Sequence, residues 1–206
     1  TISGSTTFND LTAQTAGQTL TFTAGTTQTV GGALTLAGTA GNLVTLQSSS
    51  TGDDWNIVNS GASNTANYVS VSDSNLTGTS IFAYSSTNGG GNSSAWFFPN
   101  SYTVTLTNTA INSSQLVPGT SYGYTLTLYD SNGAVATGLN ADVNLTFSGN
   151  TSSSGYVPTA TDKNSTAQQF GSATTLTFTA GVATTNVVLY KAEQGTFTFT
   201  DANNIT

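Results

Sequence analysis

Few side chains in this chain can transfer a proton or hold a metal ion. The sequence has no His and no Cys, its only basic side chains are Lys163 and Lys191, and its acidic ones are eight Asp and Glu193. Asp53 and Asp54 are the one adjacent acidic pair, but neighbouring residues of a strand point to opposite faces. Two carboxylates that cleave a glycosidic bond must share one site, with one of them kept protonated. We therefore expect this pair to lie at a solvated corner and the chain not to be an enzyme.

An alternative from a different class is a polysaccharide-degrading enzyme. It would add Asp73 to Asp53 and Asp54 as a cluster of carboxylates. A lyase is excluded more firmly, because residues 1–162 contain no Lys, Arg or His to accept a proton.

Oxygen-rich turns are the remaining candidates for a metal ion. Three turns with an Asp-x-Asn pattern could each offer two side-chain oxygens to Ca²⁺. The alternative is that each Asp caps its own turn by accepting backbone hydrogen bonds. The candidate calcium ligands are Asp73, Asn75, Asp130, Asn132, Asp201 and Asn203.

Asn-x-Ser/Thr sequences mark candidate sites of N-glycosylation. In a chain this rich in Ser, Thr and Asn, most of them arise by chance. The candidates are Asn75, Asn92, Asn112, Asn144, Asn150, Asn164 and Asn204.

The amino-acid composition restricts where the protein can be located and which classes of partner it can bind. Only 5% of residues are charged and the net charge is −7, so no basic surface exists to bind nucleic acid. No run approaches the roughly 20 apolar residues that cross a bilayer, so we expect no membrane span. A surface of Ser, Thr, Asn and Gly predicts an extracellular or cell-surface location. The chain begins without Met and ends within an alternating segment, so we expect a processed subunit or an excerpt of a longer polypeptide.

Alternation of Thr with apolar residues predicts an all-β protein. In the first half, Leu20 and Phe22 are echoed at steps of about 24 residues, and a second series begins at Leu34 and Leu36 and continues through Trp55. Two short strands per repeat predict a β-solenoid. An antiparallel meander with the same strand spacing is the alternative.

Four motifs of the first half occur in a characteristic order: residues 41–48 (GNLVTLQS), 55–57 (WNI), 68–74 (YVSVSDS) and 90–98 (GGNSSAWFF). In these motifs the first half resembles the closing coils of right-handed parallel β-helix modules in large bacterial surface proteins. It implies a domain over residues 1–98. Pro99 then ends the sheet, because proline cannot donate to a strand ladder.

The second half has longer strands, which predict an antiparallel β-sandwich over residues 99–206. The strands are expected at 101–107, 121–129, 141–147, 174–179, 182–190 and 196–200.

The motifs of this half are residues 124–133 (YTLTLYDSNG), which continue through 138–147, and residues 178–184 and 195–201. In these motifs this half is similar to bacterial immunoglobulin-like domains of the invasin and intimin type. Some bacterial surface domains of this kind form an amide bond between Lys and Asn or Asp beside a buried carboxylate. The resemblance therefore makes Lys191 and Glu193 cross-link candidates, since they lie two residues apart on one strand face.

These patterns together predict a non-enzymatic extracellular structural protein that assembles into a filament, sheath or surface layer. Its partners would be copies of itself or flanking domains of the same polypeptide, with surface carbohydrate as a further partner. A stalk segment of a large adhesin is the alternative. No cofactor is expected other than calcium at the Asp-x-Asn turns.

Overall fold

The computed structural model describes residues 1–61, 63–107, 116–130, 132–150, 152–191 and 197–206. Within these residues the chain consists of strands and turns, which confirms the all-β prediction. No segment of the described chain forms a helix that could span a lipid bilayer. The chain divides into two compact units, Thr1–Pro99 and Asn100–Thr206.

The first unit contains short strands of two to five residues. They are β1 (Thr6–Phe8), β2 (Leu11–Ala13), β3 (Thr19–Phe22), β4 (Thr27–Val30), β5 (Leu34–Ala37), β6 (Val44–Ser48), β7 (Trp55–Asn59), β8 (Asn64–Asn67), β9 (Val69–Val71), β10 (Ser74–Gly78), β11 (Ile81–Tyr84), β12 (Thr87–Asn88) and β13 (Trp96–Phe97).

These strands form three parallel sheets, ordered β1-β4-β7-β10, β13-β11-β8-β5-β2 and β12-β9-β6-β3. From β1 to β12 the chain visits the three sheets in fixed rotation, so every third strand returns beside its predecessor. An antiparallel meander is therefore wrong for this unit. The repeat has three strands, where the sequence predicted two.

The register of the strands explains why the sequence predicted two strands per repeat and not three. Leu34 of β5 pairs with Asn64 of β8, whereas Trp55 belongs to a different sheet, so the predicted echo from Leu34 to Trp55 is wrong. Strand β8 (Asn-Thr-Ala-Asn) carries only Ala66 as an apolar residue and gives no hydrophobic signal. The predicted step of about 24 residues does occur between β6 and β9, where Val44 and Val69 are register partners.

Alternation of side chains creates the core of the first unit. In β6 and β7 every second residue is buried, beginning with Val44 and Trp55. Trp55 stacks on Phe22, with ring centroids 4.0 Å apart and planes at 14°. Burial of each such side chain stabilises the unit by roughly 1.5–3 kcal/mol.

The second unit is built from longer strands. They are β14 (Pro99–Leu106), β15 (Ser121–Asp130), β16 (Ala141–Ser148), β17 (Thr159–Thr161), β18 (Ala167–Gln169), β19 (Ala173–Phe178), β20 (Val182–Val188) and β21 (Thr198–Asp201). Part of the last expected strand, residue 196, lies outside the described residues. The two short strands β17 and β18 were not predicted.

Strands of the second unit form a five-stranded sheet, ordered β14-β15-β20-β17-β18, and a three-stranded sheet, ordered β19-β16-β21. The pairing of β15 with β20 and that of β16 with β19 are antiparallel. Side chains of the two sheets meet, because the ring of Tyr102 in β14 contacts those of Phe178 in β19 and Phe199 in β21.

Candidate assembly surface at the edge of the parallel sheets

The two ends of the parallel sheets differ in how their outer strands are covered. The early edge consists of β1, β2 and β3, and the late edge consists of β10, β12 and β13. Every outer strand of a sheet presents N–H and C=O groups to whatever lies beside it.

Side chains cover strand β10 at the late edge. The Leu76 N–H of β10 donates to Ser93 Oγ at 2.9 Å, and Ser93 Oγ donates to the Leu76 C=O at 3.1 Å. Asn92 Oδ1 accepts from the Ser74 N–H at 3.1 Å, while Asn92 Nδ2 donates to the Val71 C=O at 2.6 Å. These two polar side chains take the place of a further strand.

On β1 and β2 of the early edge, no such cover is formed by the residues that the structure describes. The Leu11 N–H donates inward to the Ala33 C=O of the neighbouring turn at 2.9 Å. Because the backbone groups of successive strand residues point in opposite directions, those of Thr12 point away from the sheet. The Phe8 C=O accepts from the Gly31 N–H at 3.0 Å, which leaves Thr7 of β1 pointing outward in the same way.

We call the outward sides of β1 and β2, centred on Thr7 and Thr12, the open edge. Within the described residues, no strand pairs with it. The third sheet is covered at this end by one residue, Ile2. Its N–H donates to the Thr21 C=O at 2.7 Å, and its C=O accepts from the Thr23 N–H at 3.1 Å.

Apolar side chains at this end are incompletely covered. Ile2, Phe8, Leu20 and Ala95 are the partly buried hydrophobic residues that pack against the core of the first unit, and the first three belong to the early end. A partner on the open edge would therefore complete both the hydrogen-bond ladder and the core.

Charge does not protect the open edge. Natural edge strands are usually guarded against association by Lys, Pro or inward-pointing charges. Asp10 is the one charged side chain before Asp53. Its Oδ1 accepts from the Ala33 N–H at 2.6 Å, so it serves the corner between β2 and β5.

The predicted calcium pairs at Asp130 and Asp201 form turns of one kind. In each, carboxylate Oδ1 accepts from the backbone N–H groups two and four residues further along. The distances are 2.9 and 2.8 Å for Asp130, and 2.8 and 3.0 Å for Asp201. The structure thus gives these carboxylates the turn-capping role.

A third turn of this kind was missed by sequence reasoning. Asp162 Oδ1 accepts from the N–H groups of Asn164 and Thr166, both at 2.9 Å, between β17 and β18. The signal was present, because residues 162–164 have the same Asp-x-Asn spacing. The N–H of Thr166 is the largest influence that holds the pKa of Asp162 below its usual value.

The remaining calcium pair lies in the first unit. Asn75 Nδ2 donates to Asn56 Oδ1 of the neighbouring strand at 3.0 Å, so Asn75 belongs to a ladder between β7 and β10. No group of three or more His, Cys, Asp or Glu side chains in the described part of the chain is arranged to hold a metal ion. Calcium binding at the three pairs stays a prediction.

The candidate acidic cluster lies at one corner of the first unit. The Trp55 N–H donates to the Asp73 C=O at 2.9 Å, which places Asp73 beside the segment that follows Asp54. Asp53 and Asp54 are exposed, and Asp53 Oδ2 accepts from Ser50 Oγ at 2.6 Å. Asp53 therefore also serves a turn.

The cross-link candidates are Lys191 and Glu193, near the end of the second unit. Lys191 is described, whereas Glu193 lies outside the described residues. The cross-link between them stays a prediction. The other lysine, Lys163, pairs with Asp142 of β16, whose carboxylate also accepts from Thr177 Oγ1 at 2.6 Å. The hydrogen bond from Lys163 is the largest influence that lowers the pKa of Asp142. No sequence signal joins these distant residues.

The glycosylation candidates differ in accessibility. Asn75 and Asn92 use their amide nitrogens inside the fold, as described above. Asn164 and Asn204 are exposed in the Asp-capped turns, and Asn144 is exposed on β16. Asn150 is partly buried, and Asn112 lies outside the described residues. The two exposed turn residues fit an N-glycan best.

Comparison of the chain with protein-family models, with curated proteins and with solved structures found no match.

Proposed function

We propose that the chain is an extracellular, non-enzymatic structural subunit that assembles with copies of itself through the open edge. We further propose that its first unit is a short β-solenoid and its second an antiparallel immunoglobulin-like β-sandwich of the bacterial surface type. The observation that carries the proposal is a contrast between two outer strand edges. Strand β10 of the late edge is covered by Ser93 and Asn92, whereas Thr7 and Thr12 of the early edge point outward without a partner strand.

The solenoid assignment is supported by the rotation of the chain through three parallel sheets. The sandwich assignment is supported by antiparallel five-stranded and three-stranded sheets whose side chains meet around Tyr102. The low charge and the absence of Cys and His support a structural role over a catalytic one.

Energetics favour a strand as the occupant of the open edge. Each backbone hydrogen bond gained contributes about 0.5–1.5 kcal/mol net. Cover of a partly exposed side chain such as Phe8 contributes part of the roughly 1.5–3 kcal/mol of full burial. A second copy brings the same uncharged, β-forming surface, so no like charges oppose the contact. Pairing of the open edge with the open edge of a second copy closes a dimer. Pairing of the open edge with a different surface of the next copy repeats and produces a filament.

A stalk of a larger surface protein is the second candidate. Two consecutive compact all-β units support it, since stalks are built from such modules in series. In that case a flanking domain of the same polypeptide would cover the open edge.

Assembly is tested by analytical ultracentrifugation and electron microscopy of the purified chain over rising concentration. We expect regular multimers that disappear in Thr12→Lys, because an edge lysine opposes strand pairing. The matched control is Thr35→Lys, since Thr35 is the register partner of Thr12 within the same sheet but lies on the inner strand β5. A chain that stays monomeric at every concentration contradicts self-assembly. The stalk segment of a larger surface protein is then the remaining candidate.

A further inference from the structure

The second unit displays a pair of tyrosines outside its core. Tyr156 is 63% exposed, the highest value among the exposed large hydrophobic side chains of the described chain. Its ring stacks on that of Tyr190, with centroids 5.2 Å apart and planes at 28°. Within the described residues this is the one contact between two tyrosine rings.

The backbone holds both rings in place. Ser154 and Gly155 have φ of 52° and 84°, as a tight two-residue hairpin turn requires. Ser153 and Tyr156 exchange N–H···O=C hydrogen bonds of 3.0 and 2.9 Å across this turn. Tyr190 follows Leu189, whose C=O accepts from the Gly119 N–H at 2.7 Å. The stacked geometry is therefore built into ordered backbone.

The hydroxyl groups of Tyr156 and Tyr190 differ from those of other tyrosines in their hydrogen bonding. Tyr102 donates its O–H to Asp201 Oδ2 at 3.2 Å, and Tyr122 Oη accepts from the Val117 N–H at 2.9 Å. The phenols of Tyr156 and Tyr190 form no hydrogen bond within the described chain. Phenylalanine would satisfy the stacking equally well, so the two phenols are available for chemistry.

We propose that Tyr156 and Tyr190 are a site of oxidative cross-linking that joins the two rings as dityrosine. The oxidant is of the one-electron class, such as a peroxidase with hydrogen peroxide. Each phenol loses one electron and one proton to give a phenoxyl radical. The two radicals form a carbon–carbon bond between the positions ortho to their oxygens, and the displaced ring hydrogens return to the oxygens. One hydrogen peroxide takes up the two electrons and two protons and becomes two waters.

The consequence is a covalent link in a chain that has no Cys and can form no disulfide. The link would close a loop between residues 156 and 190 and restrict the unfolded chain. It does not depend on the assembly proposed above, because both rings belong to one molecule.

The test is oxidation of the dilute, full-length chain with a peroxidase and hydrogen peroxide. We expect the monomer to lose the mass of two hydrogen atoms, to gain dityrosine fluorescence, to yield a joined peptide containing residues 156 and 190, and to unfold at a higher Tm. Tyr156→Phe and Tyr190→Phe should each abolish all four changes while keeping the stack and the Tm of the unoxidised chain.

Tyr129→Phe is the control and should cross-link as the unchanged chain does. The proposal is overturned if the monomer keeps its mass while only intermolecular dimers form. It is equally overturned if the intramolecular link survives in Tyr156→Phe.

Discussion

Ser93 Oγ accepts a hydrogen bond from the Leu76 N–H and donates one to the Leu76 C=O. One hydroxyl thus satisfies both backbone groups that a further strand would otherwise pair. The same end is also served by Trp96, whose indole N–H donates to Ser74 Oγ at 2.9 Å. Side chains thus close the outer side of β10, whereas the outer sides of β1 and β2 at the opposite end are open.

Removal of this hydroxyl should weaken the first unit. Ser93→Ala leaves the Leu76 N–H and C=O without their partner, and we expect a loss of about 1–2 kcal/mol in the free energy of unfolding. Ser94→Ala is the matched control, since Ser94 is exposed, and it should change stability by less than about 0.5 kcal/mol. Urea unfolding followed by tryptophan fluorescence measures both. Equal stability of the two variants would contradict the closure.

A second effect follows if Ser93→Ala exposes the late edge. That variant should associate more strongly than the unchanged chain at equal concentration, because a second strand edge becomes available. Sedimentation velocity measures the difference.

Hydrophobic alternation predicted the all-β class, but it could not reveal the roles of the two edges. Strand β6 can be predicted from its alternating Val44 and Leu46, whereas β8 has a single alanine and therefore no hydrophobic pattern. The cover of the late edge depends on Ser93 and Asn92, which are ordinary residues in a sequence where about a third are Ser or Thr. Only the register of strands brings these side chains to unpaired backbone groups.

The Asp-capped turns differ in how much stability they contribute. Asp201 is 6% exposed, and it accepts from two backbone N–H groups and from the hydroxyl of Tyr102. Asp201→Ala should cost about 3 kcal/mol, because hydrogen bonds to a charged group are stronger than neutral ones and buried donors are left unpaired. Asp130→Ala removes only the two backbone contacts at a partly exposed turn, so we expect about 1 kcal/mol.

The shift in the midpoint of urea unfolding measures this difference, with circular dichroism confirming that each variant folds. A larger shift for Asp130→Ala than for Asp201→Ala would contradict the assigned roles.

Removal of calcium should leave the Tm unchanged. The carboxylates of Asp130 and Asp201 already accept hydrogen bonds from their own turns, and Asn75 donates to Asn56. Differential scanning calorimetry in excess Ca²⁺ and in EDTA checks this expectation. A Tm that rises in Ca²⁺ and loses that rise in Asp130→Asn would instead assign a calcium site to that turn.

The ion pair between Lys163 and Asp142 predicts that the free energy of unfolding depends on pH in the acid range. The hydrogen bond from Lys163 lowers the pKa of Asp142 in the folded chain, so near this pKa the unfolded chain binds more protons than the folded chain. The stabilising contribution is therefore complete above the unfolded pKa of about 4 and is lost as the pH falls through the lower folded value. The stability difference between the unchanged chain and Asp142→Asn should shrink accordingly below about pH 4.

Lys163→Met separates this electrostatic effect from packing, because it removes the positive charge and keeps much of the apolar stem. In this variant the pKa of Asp142 should rise towards its ordinary value, although Thr177 still donates to its carboxylate. Carboxyl chemical shifts recorded across the acid range by NMR give that pKa directly. Since both partners are partly exposed, added salt should screen the pair and reproduce part of the rise in the unchanged chain. An unmoved pKa in Lys163→Met would show that Thr177 and the local backbone, and not the lysine, control this carboxylate.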